Sequence, residues 1–163
     1  MDCIVADSGP LIALAYLNIL DLPHKLFGNV LVPTTVFVEC VHSAHKPGSH
    51  AIQHAREAAL FNVVDDPHIP EQLAHLLLDA GEQAAIALAL QRQAAVLIDE
   101  ARGRRAAERF KVPLIGVCGL LVKAKQTDYI PAIAPLLQHL RTAGYFISDD
   151  LCKTVLSLAG EVQ

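Results

Sequence analysis

Apolar positions along this chain fall into short unbroken runs separated by stretches with helical spacing. The runs CIVA (3–6), VLV (30–32), FNVV (61–64), AVLI (95–98) and PLIGV (113–117) are too short for helices. They are also too continuous for strands with one wet face, so they predict strands buried on both sides. Between them the spacing predicts helices over about 10–18, 35–42, 50–60, 71–78, 82–93, 101–110, 119–126 and 132–142, with a last one at 149–159. Strand–helix alternation of this kind belongs to the α/β class. It predicts a three-layer α/β/α sandwich around a central parallel sheet. No linker or repeat divides residues 1–163, which read as a single domain, with 126–163 a helical extension packed on it. HSAHKPGSH (42–50) predicts an exposed loop.

The acidic residues break this pattern at particular places. Asp7 ends the first run, Asp99 and Glu100 follow AVLI, Glu39 lies inside VPTTVFVECV, and Glu82 opens DAGEQAAIALAL. Parallel sheets gather functional groups at the carboxyl ends of their strands, where crossover loops leave room for a ligand. Each acid also has a structural explanation. Asp7, with Ser8 and Pro10, fits an N-cap; Asp79 and Glu82 fit a capping box; Asp99 fits a cap for the helix near Ala101. Glu39 fits none, because its neighbours are almost all apolar and an unpaired carboxylate there is costly. A cation should meet it, and the nearest in sequence is Lys46. If the four acids converge, they repel one another unless a cation sits among them. Hard ions such as Mg²⁺ and Mn²⁺ favour that all-oxygen setting.

Composition narrows the classes. The chain is 53% hydrophobic and 18% charged with a net charge of −4, which speaks for a compact fold and against a nucleic-acid coat protein. Yet seven of its 13 Lys and Arg lie between residues 102 and 125, enough for one basic face. The other reading of this run is a solvated helix with local Glu–Arg pairs. Aromatics make up only 5%, so base stacking is expected to contribute little to RNA binding. The four cysteines have no C-x-x-C spacing and three sit in apolar runs, pointing to reduced thiols and a cytoplasmic location. No secretory leader and no membrane-length apolar segment is visible.

Asp7-Ser8 at a strand end, Glu39 in the next helical region, Gly81-Glu82 with Ala84 and Ala85 behind, and Asp99 after AVLI together resemble the PIN-domain family. LIDEARGRRAAERFKVPLIGVCGLLVKAK is similar to a stand-alone prokaryotic branch of that family, which also includes the VapC-like toxins. The resemblance implies a PIN-like fold and a metal-dependent ribonuclease hydrolysing RNA phosphodiester bonds with Mg²⁺ or Mn²⁺. It implies metal ligation and catalysis by Asp7, Glu39, Glu82 and Asp99, with Glu100 as an additional or substitute ligand. Ser8 would orient a water or a neighbouring carboxylate. Arg102, Arg104 and Arg105 would hold the RNA backbone, and an antitoxin protein is an implied partner.

Other readings compete. A non-catalytic nucleic-acid or protein-binding module would use the carboxylates as caps and the basic run as its contact surface. An aspartyl-phosphate hydrolase needs a second acid two positions after Asp7, where Gly9 stands. Cys40, His42, His45, His50 and His54 crowd one segment but miss the usual zinc spacings. Gly116 and Gly119 lack the third glycine of a dinucleotide fingerprint and predict a tight turn. The Leu- and Ala-rich helices also suit a homodimer.

Overall fold

All five apolar runs become strands in the computed structural model, which describes residues 2–161. Met1, Val162 and Gln163, at the ends of the expected 1–163 unit, lie outside the described residues. The strands are β1 (Cys3–Ala6), β2 (Asn29–Pro33), β3 (Asn62–Val64), β4 (Ala95–Leu97) and β5 (Leu114–Ile115). They form one all-parallel sheet in the order β3-β2-β1-β4-β5. Around it lie α1 (Ser8–Tyr16), α2 (Leu22–Phe27), α3 (Thr34–Val41), α4 (Ser49–Glu57) and α5 (Glu71–Ala74). The chain continues through α6 (Ala80–Arg92), α7 (Ala101–Arg109), α8 (Val117–Gln126), α9 (Ala134–Thr142) and α10 (Asp149–Leu158).

Alternate strand residues explain the three layers. Ile4, Ala6, Val30, Val32, Ala95 and Leu97 face one apolar cluster, shared with α1, α8 and α9. Val5, Leu31, Val96 and Ile98 face the other, shared with α6 and α7. Both faces are dry, which is why the runs carry no polar alternation.

Two helical expectations are corrected. The sequence predicts no helix at 22–27, where α2 forms; six residues are too few to show a period, although Pro23 in its first turn and Gly28 at φ +76 after it mark its ends. The predicted helix over 71–78 stops at Ala74. Asp79 must be extended to start α6, and Leu77 is left 82% exposed in the turn before it. Elsewhere the elements shift by only a few residues.

The strand order places the site. From β1 the chain moves outward through β2 and β3, then returns to the other side of β1 as β4. After β1, α1 runs to one face of the sheet; after β4, α7 runs to the other. The two connections therefore diverge and leave a crevice at the carboxyl ends of β1 and β4. The Asp7 amide donates to Leu97 O at 3.0 Å, so the seam is closed up to the residue where the crevice opens.

The C-terminal helices join the α1–α8 face through Ile133, Leu137, Leu140 and Val155. Glu161 ties this region down. Its carboxylate accepts from Ile133 N at 2.8 Å, Ala134 N at 3.2 Å and Lys125 Nζ at 3.2 Å, bridging α8 to the start of α9.

Candidate active site

Asp7 occupies the N-cap position of α1, yet its side chain makes no capping bond. It is 5% exposed, and its Oδ1 is the one buried side-chain polar atom without a hydrogen-bond partner among the described residues. Burial pushes its carboxyl up to about 7; the Ser8 backbone N–H opposes this, and the carboxylates of Asp79, Glu39 and Asp99 reinforce it. A cap would have relieved that cost. The capping explanation for Asp7 therefore fails.

Glu39 comes to the same crevice because α3 packs across α6. Burial and the Asp79 carboxylate raise its carboxyl, while the Ser8 hydroxyl, the Gly81 amide and the more distant Lys46 pull it down. The close approach requires Gly81: a Cβ there would stand 2.6 Å from Glu39 Oε2. The cation expected for Glu39 arrives at the wrong atom, because Lys46 Nζ donates to its backbone carbonyl at 2.9 Å. Among the described residues its carboxylate has no ion-pair partner.

Glu82 sits in the first turn of α6 and is 8% exposed. Asp79 caps that helix by accepting from Glu82 N at 2.8 Å, which is one of the two bonds of a capping box. Burial, Asp79, Asp7 and Glu100, in that order, push the Glu82 carboxyl up to about 7. Asp79 is the residue that reading the sequence undervalued. It was given one duty, capping, but its charge also raises Asp7, Glu39 and Glu82. Its place three residues before Glu82, on the same first turn, was the available signal.

Asp99 differs. It keeps solvent contact, and its Oδ1 accepts from Val117 N at 2.9 Å, at the start of α8, rather than capping α7. Crowding by protein raises its carboxyl, opposed by that bond and by Arg104. A Cβ at Gly116 would lie 2.6 Å from Asp99 Oδ1 and 2.7 Å from Arg104 Nη1, so any larger residue there would displace these two side chains. Glu100 takes the α7 cap instead: its Oε2 accepts from Arg102 N at 2.8 Å and Gly103 N at 3.1 Å.

The three arginines separate. Arg104 turns back to the Ile98 carbonyl, 3.4 Å away, on the Asp99 side. Arg102 and Arg105 line another groove with Arg109, His75 and Leu77.

The carboxylates of Asp79, Glu39 and Asp99 all act on Asp7, and Asp79 and Asp7 act on Glu82, so the charges of acids from four separate points of the chain reach one another. Among the described residues, no three His, Cys, Asp or Glu side chains stand close enough together to grip one ion. The donor chemistry nonetheless fits a hard dication, since every candidate ligand is a carboxylate and one buried oxygen has no partner. Ions of this kind retain waters, so an open ring of acids suits them better than a closed cage. The Cys40–His54 segment shows no comparable convergence: Cys40 is on the buried side of α3, whereas His50 and His54 face solvent.

A family model described as PIN domain matches residues 3–161. The chain belongs to the PIN-domain family. PIN domains are generally nucleases and typically use divalent metals. No curated protein matches the chain. In this PIN domain, no helix among the described residues is long and apolar enough to cross a membrane.

Proposed function

We propose that this PIN domain is a Mg²⁺- or Mn²⁺-dependent endoribonuclease that hydrolyses RNA phosphodiester bonds. The observation that carries the reading is the Asp7 carboxylate: buried, one oxygen unpartnered, and facing other acids instead of a cation. Asp7, Glu39, Glu82 and Asp99 would hold the ion, with Asp79 adding negative charge beside them. A bound dication supplies Lewis-acid catalysis and a water that ionises near neutral pH.

The chain's own groups prepare the site. Ser8 and Gly81 hold Glu39, Val117 holds Asp99, and Asp7 and Glu82 must lose their protons to act as ligands. Arg104 offers positive charge to a phosphate approaching Asp99. Among the described residues, the hydroxyl and thiols nearest the acids are not prepared as nucleophiles. The Ser8 hydroxyl is committed to Glu39, and burial pushes the Cys40 and Cys118 thiols up to about 12 and about 11. Water is therefore the attacking group in this reading.

The non-catalytic alternative explains Asp79 and Glu100, which cap, but leaves Asp7 without a purpose. The deciding experiment compares wild type and Asp7→Asn on end-labelled RNA with Mn²⁺, beside DNA of the same sequence. We expect RNA cleavage that needs both Mn²⁺ and Asp7. Equal cleavage by the two proteins removes Asp7 from the mechanism. A toxin role within a toxin–antitoxin pair is a narrower form of this proposal, marked by growth arrest on expression that Asp7→Asn abolishes.

A further inference from the structure

Beside the acid crevice lies a second opening, a cleft of about 710 Å³ between α8, β5 and the turn leading into α10. Its volume falls in the range of small-molecule sites. Asp99 and Arg104 form the wall toward the crevice; Val122, Leu151, Tyr145 and Phe146 form much of the apolar remainder. The chain has only three Tyr and five Phe, and an adjacent pair of them stands here. Phe146 is 92% exposed, and Tyr145 is half-buried and close enough to Asp99 to feel its charge.

The turn that presents these rings is fixed. Arg141 Nε and Nη2 donate to the Ile147 carbonyl at 3.0 and 2.5 Å, and Nη2 also reaches Asp149 at 2.7 Å. Tyr145 N bonds Leu140 O at 3.0 Å, and Gly144, at φ +95, makes the reversal. A hydrogen-bonded turn therefore holds an aromatic side chain in the open, at a cleft that Arg104 and Asp99 also line.

We propose that this cleft receives an unpaired nucleobase of the RNA strand adjoining the phosphate at the acid crevice, with Phe146 as its stacking platform and Arg104 on the intervening phosphate. The proposal rests on the ribonuclease reading and deepens it by naming where the base beside the cut is held. Three features favour a nucleotide over a protein segment. Asp99, one of the candidate ligands, lines the cleft, Arg104 lines it too and can meet a phosphate, and an aromatic face stacks any base regardless of identity. The scarcity of aromatics along the chain pointed away from stacking; their placement reverses that expectation at this one position.

The test uses full-length protein carrying Asp7→Asn, so that binding is read without cleavage. The probes are single-stranded RNA oligonucleotides with a fluorescent adenine analogue stepped through the sequence. We expect quenching at one position. Phe146→Ala should abolish it and weaken binding roughly tenfold, while Phe146→Tyr should retain both. The exposure of Phe146 makes loss of folding an improbable explanation, and circular dichroism checks it. Unchanged quenching and affinity in Phe146→Ala, in a protein whose wild type cleaves RNA through Asp7, overturns the cleft proposal alone. Absence of Asp7-dependent cleavage overturns the ribonuclease reading, while the quenching still reports on the cleft. A dimer that dissociates on Phe146→Ala, with no oligonucleotide bound, assigns the cleft to a second copy and also overturns the proposal.

Discussion

Asp7 and Asp99 follow neighbouring parallel strands at the same edge of one sheet, yet their carboxylates live in opposite conditions. Asp7 is sealed from solvent, leaves an oxygen unpaired and feels three other acids. Asp99 meets solvent, accepts a backbone N–H and has Arg104 beside it. Burial raises both carboxyls, but the Val117 N–H and Arg104 relieve part of that cost at Asp99, whereas neighbouring acids add to it at Asp7. An apolar strand closing on an acid thus marks a location in the fold, whereas the packing around each acid decides what that carboxylate can do.

The sharpest way to break this comparison is mutation of the two acids in parallel. Asp7→Asn should lower Mn²⁺-dependent cleavage by at least about a hundredfold, the scale of losing one preorganised charge-stabilising group. The same change should raise the stability of the metal-free protein at pH 8 by about 1–3 kcal/mol, because it removes a buried charge. Asp99→Ala should also impair cleavage but lower stability by about 1 kcal/mol, since Val117 N loses its acceptor. Opposite signs in denaturant melts, with losses of cleavage in both, uphold the contrast; equal signs dissolve it.

Titration gives a second test. The Asp7 carboxyl rises from its ordinary 3.8 to about 7 in the fold, and Glu82 rises from 4.5 to about 7. Folding therefore favours the protonated forms. Their stabilising contribution is complete below about pH 4 and disappears as pH rises through 7. Metal-free protein should lose thermal stability between pH 5 and pH 8, with a flatter profile in Asp7→Asn, and Mn²⁺ should restore stability at pH 8. A metal-free melting temperature that climbs over that interval, equally in both proteins, contradicts the assignment of stress to Asp7.

Smaller effects refine the picture. Asp79→Asn keeps an N-cap side chain but removes a charge, so the pH profile of cleavage should move to lower pH without a fall in stability beyond a few tenths of a kcal/mol (~0.5 at most). Arg104→Ala should reduce the salt slope of RNA binding by about one phosphate contact, while Arg102→Ala changes binding independently from its separate groove. Glu100→Ala should cost about 1 kcal/mol of stability through the lost α7 cap and leave cleavage within about twofold. Loss of cleavage in that variant would return Glu100 to the ligand set.

Much of the fold was legible because burial on both faces leaves its mark residue by residue: Val5, Leu31 and Val96 are apolar for one layer, Ile4, Val30 and Leu97 for the other. Short pieces escaped this logic. The six residues of α2 offer too little periodicity, and the true end of α5 depends on where Asp79 must become extended. Of the candidate site, the sequence shows four spaced acids and Ser8 as residues, without showing what each one meets. What could not be read were pairings across the chain: Gly81 against Glu39, Val117 against Asp99, and Asp79 exerting its charge on three other carboxylates.

By itself the sequence determined a parallel sheet dry on both faces and a set of acids at strand ends and helix starts, because hydrophobic period and chain order are local properties. Only the tertiary structure decided that Asp7 lacks a partner, that Glu100 caps a helix, that the arginines part company and that Phe146 stands beside the acids. Those outcomes depend on which distant groups come within a few ångströms, and a carboxylate's chemistry is set by that surrounding rather than by its own position in the chain.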